Sequence, residues 1–127
     1  KAKERKGRGI ELKVSGAFHS PMMEEANKEL APLLRKAVWR KPRFPVYCNQ
    51  HGKAVHDGES ARESLLRQMV SPVRWIETVR NQYANGARFW LELGKMVAPC
   101  LNGIAVGSDA LRVELVSTLE SLTAFSL

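Results

Sequence analysis

Two hydrophobic periods alternate along this chain, and that alternation constrains its fold more than any other feature. Met23, Ala26, Leu30, Leu33, Leu34 and Ala37 recur at the spacing of one helical face, behind Ser20-Pro21 as N-cap and first-turn proline. Pro32 lies inside that pattern, and its missing N–H predicts a kink or an early end. Phe44-Pro45-Val46-Tyr47-Cys48 is a short apolar run closed by the polar residues Asn49 to Gly52, which predicts a buried strand ending in a turn. Ser60 is placed to cap a second helix carrying Leu65, Leu66 and Met69. Ser71-Pro72 is placed to open a third, with Trp75, Ile76, Val79 and Tyr83 inward and Asn85-Gly86 as its end. Phe89, Leu91 and Leu93 alternate with Trp90 and Glu92, the period of a strand. A last helix is expected from about Asp109 to Leu122 on Leu111, Leu115, Val116 and Leu119. Upstream, Lys1 to Lys6 reads as the close of a helix stopped by Gly7 and Gly9, with an extended segment from Ile10 to Val14. Helices alternating with short strands predict an α/β fold with parallel strands.

A length of 127 residues suits one core. With 44% hydrophobic and 26% charged residues the chain has the composition of one that folds, not of a disordered one. Apolar runs such as Ile104 to Val106 fall far short of the roughly 18 residues that a membrane span needs. The basic stretch Lys1 to Gly9 is followed by no apolar core, so it does not read as a secretory signal. Cys48 and Cys100 stand far apart with no paired spacing, which argues against a zinc or redox motif and fits a reducing cytoplasm. Of the net charge of +7, residues 1 to 13 carry +4. No zinc-finger spacing or interleaving of aromatic and basic residues accompanies it, so a solvated helix face accounts for it better than a nucleic-acid surface does.

The three histidines differ in setting. His51 and His56 are five positions apart with no nearby carboxylate or thiol, too few ligands for a metal site, and no metal is expected. His19 lies between an extended segment and a helix start, where loops carry function on a rigid scaffold. An imidazole there can take and return a proton near neutral pH, or can simply bond to the backbone of its own turn. Position alone leaves both readings open.

The run Val14-Ser15-Gly16-Ala17-Phe18-His19-Ser20-Pro21-Met22-Met23 resembles the histidine motif of malonyl-CoA:acyl carrier protein transacylases and related acyltransferase domains. Leu66-Arg67-Gln68, Ser71-Pro72-Val73-Arg74-Trp75 and Phe89-Trp90-Leu91-Glu92-Leu93-Gly94 resemble later landmarks of that family, in order. The resemblance implies the C-terminal part of an α/β-hydrolase-like acyltransferase core with parallel strands over residues 11–127. Residues 1–10 would be the end of a ferredoxin-like small subdomain. It implies transfer of malonyl from malonyl-CoA, a substrate and not a cofactor, to the phosphopantetheine thiol of acyl carrier protein through an acyl-serine. His19 matches the family's base, and Gln68 the position whose backbone carbonyl holds that histidine. Phe18 matches the position where malonyl-selective members carry phenylalanine, whose bulk leaves no room for an α-methyl branch.

The nucleophile of the family sits in a Gly-x-Ser-x-Gly elbow. Neither Ser15 nor Ser108 satisfies that pattern, and the family's carboxylate-binding arginine and oxyanion loop also belong to upstream segments. After Glu92-Leu93-Gly94 the family continues with a Gly-Pro-containing loop, whereas here Gly94 runs directly into Lys95. The isolated chain is therefore expected to be inactive. The alternative is a basic α/β module without catalysis, binding an acidic protein or nucleic acid.

Overall fold

Ser20 turns the chain into its first helix. Its hydroxyl accepts the Met22 N–H at 3.3 Å and opens a 3-10 turn, Pro21–Met23, that passes into α1, Glu24–Lys36. These elements belong to a computed structural model that describes residue 4 and residues 15–93, 98–101, 104 and 112–116. Helix α1 runs through Pro32 to Lys36, where the Ala37 N–H bonds the Leu33 carbonyl at 3.1 Å, so the early end expected from the proline does not occur. Pro32 and Lys28 are both exposed, so water can take the carbonyl that the proline leaves without a donor.

The run at 44–48 is not a buried strand. Only Val46–Tyr47 forms β1, and it pairs antiparallel with β2, Ala54–Val55, in register Val46 to Val55 and Tyr47 to Ala54. Phe44 is 72% exposed. Pro42 and Pro45 explain the shortness, because a proline cannot donate to a ladder. Between the two strands the Gly52 N–H bonds the Cys48 carbonyl at 2.8 Å, with Gly52 at φ 69, a left-handed conformation that glycine adopts cheaply.

Helix α2 spans Gly58–Gln68, and its cap is Asp57, not Ser60. The Asp57 carboxylate accepts both the N–H and the hydroxyl of Ser60 at 2.7 Å, and these bonds, the backbone one foremost, hold its carboxyl below the usual range. Helix α3, Trp75–Ala84, likewise starts later than Ser71-Pro72 suggests. The Ser71 N–H instead donates to the Gln68 carbonyl at 3.2 Å, so this serine closes α2 and does not open α3. At the far end Asn85 caps α3 and Gly86 follows at φ 98. Val79, fully buried, packs with Leu101 and with Trp75, Tyr83, Trp90 and Ile104. Ile76 faces outward at 48% exposure, because it stands one residue off the face set by Trp75, Val79 and Tyr83.

β3, Phe89–Leu93, is followed by a short helix, α4, Ala98–Leu101, and then by β4, Arg112–Val116. β3 and β4 pair in parallel, Phe89 to Arg112 through Leu93 to Val116, as a crossover connection requires. Residues 112–116 were expected within a helix, and the strand is a correction. Arg112-Val113-Glu114-Leu115 alternates polar with apolar, and β-branched valines favour a pleated surface, so the period of two overrides the helical spacing of Leu111, Leu115 and Leu119. The rest of the helix expected over 109–122 lies outside the described residues. So do the extended segment at 10–14 and, residue 4 apart, the helix at 1–6. The α/β character holds, with one antiparallel and one parallel pair of strands among the described residues.

The segment after α1 is clamped onto the start of α2. The Trp39 indole N–H donates to the Leu34 carbonyl at 2.7 Å. A Cβ on Gly58 would stand 2.7 Å from the carbonyl carbon and oxygen of Trp39. Gly58→Ala should therefore destabilise the fold by about 1–3 kcal/mol through overpacking against backbone, where an unobstructed helical glycine gains stability from the same change. Chemical denaturation measures the sign, and a gain would show that Trp39 does not lie on α2.

Candidate active site

Helix α2 ends beside the turn that carries His19. His19 stands at φ 61, a left-handed conformation uncommon for a residue with a Cβ, in a turn closed by the Ser20 hydroxyl donating to the Ala17 carbonyl at 2.6 Å. The ring is half-buried, and its Nδ1 lies 3.1 Å from the Gln68 carbonyl oxygen. A carbonyl can only accept, so Nδ1 carries the hydrogen, and in the neutral ring Nε2 keeps its lone pair. The same carbonyl also receives the Ser71 N–H, which fixes its direction, and it stands at the partially negative end of α2. The bond uses the main chain of Gln68 and leaves its side chain out.

The structure thus brings Phe18, His19 and Gln68 to one cavity, of about 170 Å³, together with Leu30, Leu65 and Met69. Phe18 is 57% exposed and forms an open wall, its ring 3.5 Å from where a Cβ on Gly16 would stand. Leu30, Leu65 and Met69 were legible only as inward helical positions. Their period marks a buried face, and only the packing of α1 on α2 makes that face the wall of a cavity. A second cavity, of about 210 Å³, shares Leu65 and Gln68 with the first and is also lined by Trp39 and by Val46 to Asn49.

His51 makes a different pair. Its Nε2 lies 3.0 Å from the hydroxyl of the buried Ser64, while its Nδ1 accepts the Lys53 N–H at 3.0 Å. Nε2 therefore carries the hydrogen and donates to Ser64, the reverse of what a base needs in order to activate a hydroxyl. Among the described residues no three His, Cys, Asp or Glu side chains converge as a metal site. No helix among them is long and apolar enough to cross a membrane.

No family model matches the chain. It is similar to the malonyl CoA-acyl carrier protein transacylase of Synechocystis sp., 36% identical over 87 residues, covering 68% of this chain and 30% of that protein. It is also similar to that of Haemophilus influenzae, 33% identical over 122 residues, covering 93% of this chain and 38% of that one. Among solved structures, the Synechocystis malonyl-CoA:ACP transacylase superimposes with a TM-score of 0.84 at 29% identity, over 93% of this chain and 40% of that chain. A chain of the complex between a type II polyketide synthase acyl carrier protein and its malonyl-transacylase gives 0.81 at 31% identity, over 92% and 38%. The chain spans well under half the length of each of these proteins.

Proposed function

The chain belongs to the malonyl-CoA:acyl carrier protein transacylase family, and from that premise we propose that it is the histidine-bearing part of an enzyme that moves malonyl from malonyl-CoA to acyl carrier protein. The observation that carries this reading is the bond from His19 Nδ1 to the Gln68 carbonyl, which leaves Nε2 free as a base. The serine comes from a Gly-x-Ser-x-Gly turn outside these 127 residues.

In the first half-reaction the serine oxygen attacks the thioester carbonyl while His19 Nε2 takes the serine proton. The carbon–sulfur bond breaks, coenzyme A leaves as its thiol with the proton from Nε2, and malonyl stays on serine. In the second, the carrier thiol gives its proton to Nε2 and attacks the acyl-serine. The serine oxygen departs and recovers the proton. Throughout, the Gln68 carbonyl keeps Nδ1 protonated and the ring aimed, the task an aspartate performs in a triad. Phe18 bounds the acyl pocket and excludes an α-methyl branch. The fold on this reading is the C-terminal part of an α/β-hydrolase-like core over 11–127, with 1–10 ending a ferredoxin-like subdomain. The enzyme works in the cytoplasm and needs no cofactor.

The test is malonyl transfer to holo acyl carrier protein. The full-length polypeptide that carries this chain should transfer malonyl, and the 127-residue chain alone should not. Turnover by the isolated chain would place the nucleophile within it and defeat the reading.

A further inference from the structure

The turn that joins β1 to β2, residues 48–53, is bonded to both helices that flank the Gln68 carbonyl. It is closed on itself by the Cys48 N–H, which donates to the Lys53 carbonyl at 3.1 Å, and by the Gly52 N–H on Cys48. Toward α3, the Asn49 carbonyl accepts the Arg74 N–H at 2.9 Å, at the N-cap of that helix. The Gly52 carbonyl accepts the Asn81 side-chain N–H at 2.9 Å. Gly52 is buried so closely on α3 that a Cβ there would stand 3.1 Å from the Thr78 nitrogen. Toward α2, the His51 Nε2–H donates to the buried Ser64 hydroxyl at 3.0 Å, and the Lys53 N–H on Nδ1 keeps the ring turned that way. His51 is thus the side chain by which this turn holds α2, and the transfer mechanism makes no use of it.

These bonds bracket the carbonyl that orients the reacting histidine. Ser64 stands one helical turn before Gln68, and Arg74 closes the segment that Gln68 opens. The Gln68 carbonyl lies at the end of α2, where it takes the Ser71 N–H and the His19 Nδ1–H. Its direction therefore follows from where α2 ends and how residues 69–74 leave it. Side-chain packing does not fill the space on the turn's side, since Cys48, Asn49 and Gln68 border a cavity of about 210 Å³. Across such a gap close packing cannot set the spacing, and hydrogen bonds must. Breaking the His51 bond would leave the buried Ser64 hydroxyl without that donor, so the pair favours one placement of the turn on the helix. We propose that His51 is a positioning residue for malonyl transfer. Its bond to Ser64 fixes α2 against the turn, and through α2 it fixes the Gln68 carbonyl that holds His19 Nδ1. This inference rests on the transacylase reading given above.

The test is His51→Ala in the full-length polypeptide, with thermal unfolding as the control for folding and His56→Ala, an exposed neighbour, as the comparator. In His51→Ala, kcat and kcat/KM for malonyl transfer should fall together by about tenfold, the pattern of a reacting group displaced by a fraction of an ångström. NMR of the ring nitrogens should show His19 as one Nδ1–H tautomer in the unaltered protein and as a mixture of tautomers in the variant. His51→Gln, whose amide N–H can stand where Nε2 stood, should restore most of the rate and the single tautomer, and His56→Ala should change neither. If His51→Ala does not fold, Ser64→Ala removes one oxygen from the same bond and carries the same expectation. An unchanged rate and tautomer would overturn the proposal. So would a loss of rate with the single tautomer kept, which would make His51 a structural residue of its turn, and so would a glutamine variant as slow as the alanine one. If the unaltered polypeptide transfers no malonyl, the transacylase reading fails on its own. The His19 tautomer with and without the His51 side chain then decides the positioning link: a change sustains it, and no change refutes it.

Discussion

His19→Ala in the full-length polypeptide should lower malonyl transfer by about 10²–10⁴-fold, the share a positioned general base contributes. The expectation follows from the direction of one hydrogen bond. The Gln68 carbonyl binds Nδ1 at 3.1 Å and dictates the tautomer, so the ring has one nitrogen with a lone pair to offer a hydroxyl or thiol. The backbone fits the same role, since His19 holds φ 61, an uncommon conformation for a residue with a Cβ and of a kind that clusters at functional sites. In the proposed mechanism both half-reactions pass their proton through Nε2, so acylation by malonyl-CoA and release to carrier protein should fall together. Gln68→Ala is the matching control. Because the acceptor is a main-chain oxygen, that substitution should leave the rate within roughly a factor of two, the range of changes away from critical contacts. A loss of less than about tenfold in His19→Ala, below the span of base catalysis, would make the histidine a structural residue of its turn.

Phe18→Ser should relax the choice of acyl group. In the proposed enzyme the Phe18 ring bounds the cavity that His19, Gln68, Leu30, Leu65 and Met69 complete, and serine in its place would return most of an aromatic ring's volume to the site. One methyl group in an apolar pocket is worth about 1–3 kcal/mol, or 10–200-fold in discrimination, and the ratio of kcat/KM for malonyl-CoA over methylmalonyl-CoA should fall by an amount in that range. The malonyl reaction itself should suffer less than the ratio, because the ring takes no part in proton transfer. An unchanged ratio with normal malonyl turnover would mean that Phe18 packs against Gly16 without meeting the substrate.

The pair His19 and Gln68, 49 positions apart in sequence, was legible through motifs and not through periodicity. Hydrophobic spacing placed the helices but misjudged their ends. The true cap of α2 is a carboxylate three residues before the serine expected to serve, and both residues are good N-caps locally. Ser71-Pro72 has the form of a helix start, but its N–H closes the preceding helix, and only the chain's path after α2 decides between the two. Residues 112–116 fit both periods, and pairing with β3 settled them as a strand. Two prolines reduced the apolar run at 44–48 to a two-residue, partly exposed strand, a constraint that the apolar pattern masks. The cavity walls on α1 and α2 were beyond a one-dimensional reading, since Leu30 meets Leu65 and Met69 only when the helices pack.

Mass spectrometry of the full-length polypeptide after brief exposure to malonyl-CoA locates the acylated residue and times its formation. With His19 as the base, a malonyl group is expected on the serine of a Gly-x-Ser-x-Gly turn outside these 127 residues, and little or none on the same serine in His19→Ala over the same time. A malonyl group on a residue within the chain, or acylation that proceeds equally fast without His19, would contradict it.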